Sequence, residues 1–168
     1  MSYVSDVLKI AKNINAQMES LTAPFKVRLA ESNMNELYDT MITNKSLRRK
    51  TEKLFKDGHH VRAVEEAYKL IDNLVKKKAD LEKTDFTGAA LMNKVFSPKN
   101  TLLKLNEGKS SSEQNEQAGY MQIYAGCMTG IRNPRAHDTD WEDTEERALQ
   151  LLTFANHLIE RVHLSIKE

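Results

Sequence analysis

Apolar residues recur at steps of three and four through most of this chain, and that spacing constrains its fold more than any other feature. Val4, Val7, Leu8, Ala11, Ile14, Met18 and Leu21 draw one stripe, and Val61, Val64, Tyr68, Ile71 and Val75 a second. Ala148, Leu151, Leu152, Ala155, Leu158, Ile159 and Val162 draw a third. A period near 3.6 places such residues on one face of a helix. No segment alternates at the period of two that a half-buried strand needs, so the chain is expected to be all-α, without a sheet. Three prolines and six glycines in 168 residues leave long stretches free of helix breakers.

The breakers divide the pattern. A helix is expected from about Val4 to Leu21, ended by Ala23-Pro24, and then a bend and a short helix within 25–44. Leu47, Leu54 and Phe55 precede Asp57-Gly58. One long helix would carry Gly58 at a cost of about 1 kcal/mol. Two helices turning at Asp57-Gly58 are favoured. Lys76-Lys77-Lys78 closes the second, where cations complement the macrodipole. Asp85 or Thr87 is positioned to cap a short helix through Phe96, stopped by Ser97-Pro98. Residues 106–112 read as a polar surface loop. A helix from about Glu113 to Gly130 follows, with Tyr120, Ile123, Tyr124, Cys127, Met128 and Ile131 on one face. Asp140 is the expected N-cap of the last helix, with acidic residues in its first turns. Residues 1–45 are read as an N-terminal helical extension and 46–168 as the main helical domain.

A chain of this length buries roughly 70% of its unfolded surface and needs no disulfide or metal to fold. Its one cysteine, Cys127, suits a reducing compartment. No run of 18 apolar residues is present, so no membrane association is expected. The first residues lack the features of a signal peptide, and a cytoplasmic location is expected. Five histidines and Cys127 show no zinc-ligand spacing, and no glycine-rich phosphate loop occurs. No metal or cofactor is therefore expected. The net charge is +1. Residues 45–83 hold 12 Lys and Arg against 7 Asp and Glu, whereas residues 107–168 hold 6 against 11. Either these are solvated helix faces, or the basic region receives a polyanion.

The chemistry concentrates in Ile131-Arg132-Asn133-Pro134-Arg135-Ala136-His137. Pro134 is expected to break the helix, push Asn133 out of the α region and make it an N-cap. Arg132 would then end one helix and His137 lie on the next turn, both aimed into one cleft. Arginine forks onto phosphate oxygens, and histidine moves protons near neutral pH. Together they suffice to break RNA: His137 would shuttle the proton of a 2′-hydroxyl or of the leaving oxygen, and Arg132 would hold the charge growing on phosphate. The plainer reading is a packed histidine beside an Arg132 paired with Asp138 or Asp140.

Arg132 to His137 resembles the R-x4–6-H signature of the HEPN superfamily of helical domains. More narrowly, the chain resembles the bacterial conserved-hypothetical family called Ymh. Further matching residues are Leu54-Phe55, Gly58-His59-His60, Ala63 to Ala67, Gly88 to Asn93, Phe96, Gln117 to Tyr120, Gly126 and Gly130. The resemblance covers about residues 50–165, and His60 stands where a tyrosine is expected. It implies a helical bundle of HEPN type that dimerises, so that two Arg–His pairs face each other across a two-fold axis. It also implies a metal-independent endoribonuclease serving phage defence, abortive infection or a toxin–antitoxin system, with RNA as substrate and an antitoxin or defence protein as a further partner. The alternative is an inactive dimeric module that binds RNA or a protein. Arg132 and His137 are carried over as catalytic, with Asn133 as helper. Arg135, His59, His60 and Tyr120 are secondary candidates for holding substrate, Tyr120 by stacking on a base. For His59 and His60 the competing role is helix-start packing, and for Tyr120 it is the core.

Overall fold

The computed structural model describes residues 12–14, 16–17 and 34–168. Residues 12–14 and 16–17 are helical; the rest of the helix expected over 4–21, and the bend expected after it, lie outside the described residues. The chain divides into two compact units, Met1–Leu37 and Tyr38–Glu168. Of the first, the described residues show only these helical positions and the opening of α1, Met34–Met41, which runs across the boundary.

The second unit is an all-α bundle. Helix α2, Lys45–Lys56, starts at Asn44, whose side chain accepts from the amides of Ser46 and Leu47. The same Asn44 donates to Glu160 Oε1 at 2.7 Å, which ties this helix start to the last helix. The chain then turns at Gly58, where φ is +82°. The amides of Gly58 and His59 close the end of α2 on Phe55 and Leu54 carbonyls. A left-handed glycine at this position is the usual helix stop, so the two-helix reading holds.

Helix α3, His60–Lys78, supplies the centre of the core through Ala63, Val64, Ala67, Tyr68, Ile71 and Val75. Each large side chain fully buried there stabilises by about 1.5–3 kcal/mol. Helix α4, Gly88–Phe96, has Thr87 at its N-cap, but Thr87 makes no side-chain cap bond. The carboxylate of Asp72 on α3 accepts from the Gly88 amide at 2.6 Å and from Thr87 Oγ1 at 3.0 Å instead. Helix α5, Ser111–Cys127, opens with a capping box between Ser110 and Glu113. It starts two residues before Glu113 and buries Gln117, Tyr124 and Cys127. Ile123 faces outward at 39% exposure. That overturns its place on the inner stripe, because a buried Gln117 turns the packed face. Gln117 accepts from the Leu105 amide and donates to the carbonyls of Phe96 and Leu103.

A π-turn over Met128–Arg132 and a short α6, Asn133–His137, continue from α5 without a cap. Helix α7, Glu145–Leu164, is capped by Thr144, which accepts from the Arg147 amide. Asp140, the expected cap, instead donates its amide to Asp138 Oδ1 in the preceding loop. Helices α3 and α7 run parallel. Tyr68 Oη donates to the Leu151 carbonyl, and Lys78 Nζ to those of Val162 and His163, partners 83 to 85 positions apart.

The expectation of no sheet is corrected in one detail. β1, Leu103–Lys104, pairs antiparallel with β2, Ile166–Lys167, in the register Leu103↔Lys167 and Lys104↔Ile166. Two-residue strands are too short to show a period, and their pairing ties the exits of α4 and α7 together. Among the described residues, no helix is long and apolar enough to cross a membrane.

Candidate functional site

The π-turn explains how Pro134 fits inside an unbroken helical run. Asn133 keeps α geometry, φ −63° and ψ −43°, and its amide donates to the Met128 carbonyl five residues back. The expectation that Pro134 would drive Asn133 into an extended N-cap is therefore wrong. A proline ring clashes with the carbonyl four residues earlier when the turn is α. The wider π ring relieves that crowding around Gly130 and places the missing N–H where the ladder is already interrupted.

Arg132 is half-buried and His137 exposed at the end of this run. Asn133 Oδ1 accepts from Arg132 Nη1 at 3.0 Å. Its side chain thus holds one edge of the guanidinium and leaves the other donors open. Among the described residues Arg132 makes no ion pair, with Asp138 and Asp140 or any other carboxylate, and the His137 ring has no hydrogen-bond partner. Five residues of α-helix separate the two side chains by about 140° around the axis, and no hydrogen bond joins them within the chain. Such an arrangement offers a planar cation and a titratable imidazole to a ligand that reaches both.

Arg135 is placed differently from the expectation of substrate contact. Its side chain is 1% exposed, and that of Asp143 is 0% exposed. Nε and Nη2 donate to the two Asp143 carboxylate oxygens, each at 2.6 Å, and Nη1 donates to the Ile131 carbonyl at 2.7 Å. The Arg135 guanidinium lies 5.4 Å from the Trp141 ring centroid, and that of Arg147 5.6 Å. Sequence reasoning missed this cluster. Asp143 reads as one of several acids in the first turns of a helix, and the signal that could have marked the region is Trp141, the single tryptophan of the chain.

His59 and His60 come next to the same loop. A groove of about 340 Å³ is lined by Gly58, His59, His60 and Arg62 on one side and Trp141, Glu142 and Asp143 on the other. His60 packs edge-on against Phe55, with ring centroids 5.3 Å apart, and its Nδ1 is buried without a partner. His59 is exposed and makes no cap bond to α3. Tyr120 is not part of this region: it lies twelve residues before Arg132, about 18 Å along the helix. Its hydroxyl meets His157 Nε2 at 2.7 Å, and Arg161 sits over its ring at 4.9 Å. Cys127 is buried behind the π-turn, and burial pushes its thiol up to about 11. It is no nucleophile at neutral pH. Among the described residues, no three His, Cys, Asp or Glu side chains gather in a metal-holding group.

An all-α bundle that carries Arg-Asn-Pro-Arg-Ala-His where a helix is interrupted is the class that fold and site define. Within it, residues 43–162 match the family described as "Protein of unknown function (Hypoth_ymh)", and the chain belongs to that family. No curated protein and no solved structure matches the chain.

Proposed function

We propose that this protein is a HEPN-type endoribonuclease that cleaves RNA without a metal, in a defence or toxin–antitoxin setting. The observation that carries the reading is the free state of Arg132 and His137. A structural Arg132 would be spent on Asp138 or Asp140, yet among the described residues it is held only by Asn133. The substrate's own 2′-hydroxyl is the nearest nucleophile to its phosphorus. His137 takes its proton or protonates the leaving oxygen, and Arg132 meets the charge that builds on the phosphate.

The wide angle between Arg132 and His137 supports action as a symmetric pair of chains. Two copies bring two histidines to one phosphate, so that acid and base are separate groups. The outer face of α5 supports the same reading. Among the described residues, Gly119, Gly126 and Gly130 have no heavy atom outside their own helix backbone within 4 Å of where a Cβ would stand. With Ile123 between them they follow steps of four, three and four along one helix face, which leads to the motif.

The test is cleavage of RNA by the full chain in EDTA. Products ending in 2′,3′-cyclic phosphate or 3′-phosphate, with 5′-hydroxyl partners, are expected, and DNA should resist. His137→Ala should lose on the order of 10²-fold or more in rate, at unchanged stability. Arg132→Lys keeps the charge and loses the fork, so its activity should fall clearly. Dependence on added magnesium, or cutting of DNA at a similar rate, would sink this mechanism. Binding of RNA without cleavage would favour the inactive module.

A further inference from the structure

Arg135 sits between the two residues on which that reading rests, and of the three it alone is buried. Its three bonded nitrogens reach the residue before Arg132 and a carboxylate six residues beyond His137. Nη1 holds the carbonyl of Ile131, the residue before Arg132, at 2.7 Å. Nε and Nη2 hold Asp143, just before the Thr144 cap of α7. The pair thereby closes the loop that begins one residue after His137. The Trp141 ring lies within cation–π reach of the guanidinium, 5.4 Å from it. A planar fork of this kind fixes distance and orientation together, which a lysine cannot do. Replacing a buried ion pair with apolar side chains of similar volume is often neutral for stability, so stability alone does not account for this pair. The Asp143 contact, made outside the helical run, is the one that can set how α6 is turned and so where Arg132 and His137 point, while the Ile131 contact braces the run from within.

We infer that Arg135 is a positioning residue for the ribonuclease site, acting through the Ile131 carbonyl and Asp143, and that it does not touch RNA. The inference rests on the ribonuclease reading for its catalytic arm and on the geometry alone for its second arm. Two full-length variants test it. Arg135→Met combined with Asp143→Leu removes both charges at once and leaves no unpaired buried ion. Arg135→Lys keeps a cation and loses the fork. Turnover and KM on an RNA substrate are measured beside amide exchange at residues 129–138, with α7 amides and the urea midpoint as controls.

For the double variant the expected result is a kcat loss on the order of 10²-fold, the cost of misplacing reacting groups by about an ångström. KM should stay within about threefold. Exchange at 129–138 should rise by about tenfold or more while α7 stays protected. Arg135→Lys should lie between this variant and the parent, and it decides the case if the double variant does not fold. A raised KM with kcat retained would make Arg135 a substrate contact and overturn the inference. Unchanged kcat with unchanged exchange would overturn it as well. If the parent protein cleaves no RNA, the ribonuclease reading fails, and local exchange alone decides: faster exchange upholds the positioning role and unchanged exchange refutes it.

Discussion

Glu65 lies on the inner side of α3 with its side chain 7% exposed, and two cations meet it there. Arg62 Nη1 stands 2.5 Å from one carboxylate oxygen and Lys69 Nζ 2.7 Å from the other. Burial pushes the carboxyl upward, and the hydrogen bonds from Lys69 and Arg62 outweigh that, leaving it below its ordinary value of 4.5. A carboxyl depressed in the folded state stabilises above its unfolded pKa, and that stability is lost as pH falls through the folded value. Glu65→Gln should therefore cost about 1–3 kcal/mol at pH 7, and the gap should close as acid is added. Urea midpoints of parent and variant across pH 7 to 3 check this, and parallel curves would refute it. At this scale the sequence is readable where a function is local. Arg132 and Asn133 are adjacent, so the hydrogen bond between them needs no knowledge of the fold. The Arg135–Asp143 pair is different. Eight residues and a loop separate the partners, and only the path of that loop decides which of several acids meets the guanidinium.

Helix ends separate what was legible from what was not. Ser110 and Glu113 form a reciprocal cap on α5; Ser-x-x-Glu is the signature that could have marked it, whereas residues 106–112 read as a loop with the helix from about Glu113. Ser110→Ala should cost about 1 kcal/mol, measured by chemical denaturation, and a loss under about 0.3 kcal/mol would show that the box contributes little. Pro134 was read by the rule for α-helices and misplaced Asn133, because a π-turn is a register change that no residue type announces. The start of α7 moved from Asp140 to Thr144 for a tertiary reason: Asp143 is drawn inward to Arg135, and the chain can begin a helix only after it. The cap of α4 illustrates the same dependence, since its carboxylate belongs to Asp72 on α3.

The all-α bundle followed from periodicity, because α3 and α7 bury stripes that are plain in the sequence, although α5 buries Gln117 in place of Ile123. The two-stranded pairing of 103–104 with 166–167 did not, since nothing in four residues marks it. The open glycine face of α5 is testable at this scale. Gly126→Ala meets nothing within 4 Å and should stabilise the folded chain by about 0.5–1 kcal/mol. If the proposed dimer packs on this face, Gly126→Leu should stay folded, sediment as a monomer at micromolar concentration and lose the proposed RNA cleavage. A dimer that survives Gly126→Leu would place the two-fold axis elsewhere.

The parallel course of α3 and α7 has a consequence for biosynthesis. Parallel neighbours cannot be joined by a tight turn, and the partner of Lys78 lies 84 residues later. At about 5–20 residues per second, a ribosome needs roughly 4–17 s to add that length. During this interval the newly made α3 shows the face of Ala67, Ile71 and Val75 to whatever surrounds the nascent chain. Arg132 and His137 are synthesised before Trp141 and Asp143, which hold Arg135 between them, so each new molecule passes through a stage in which its motif exists as sequence and not yet in its final geometry.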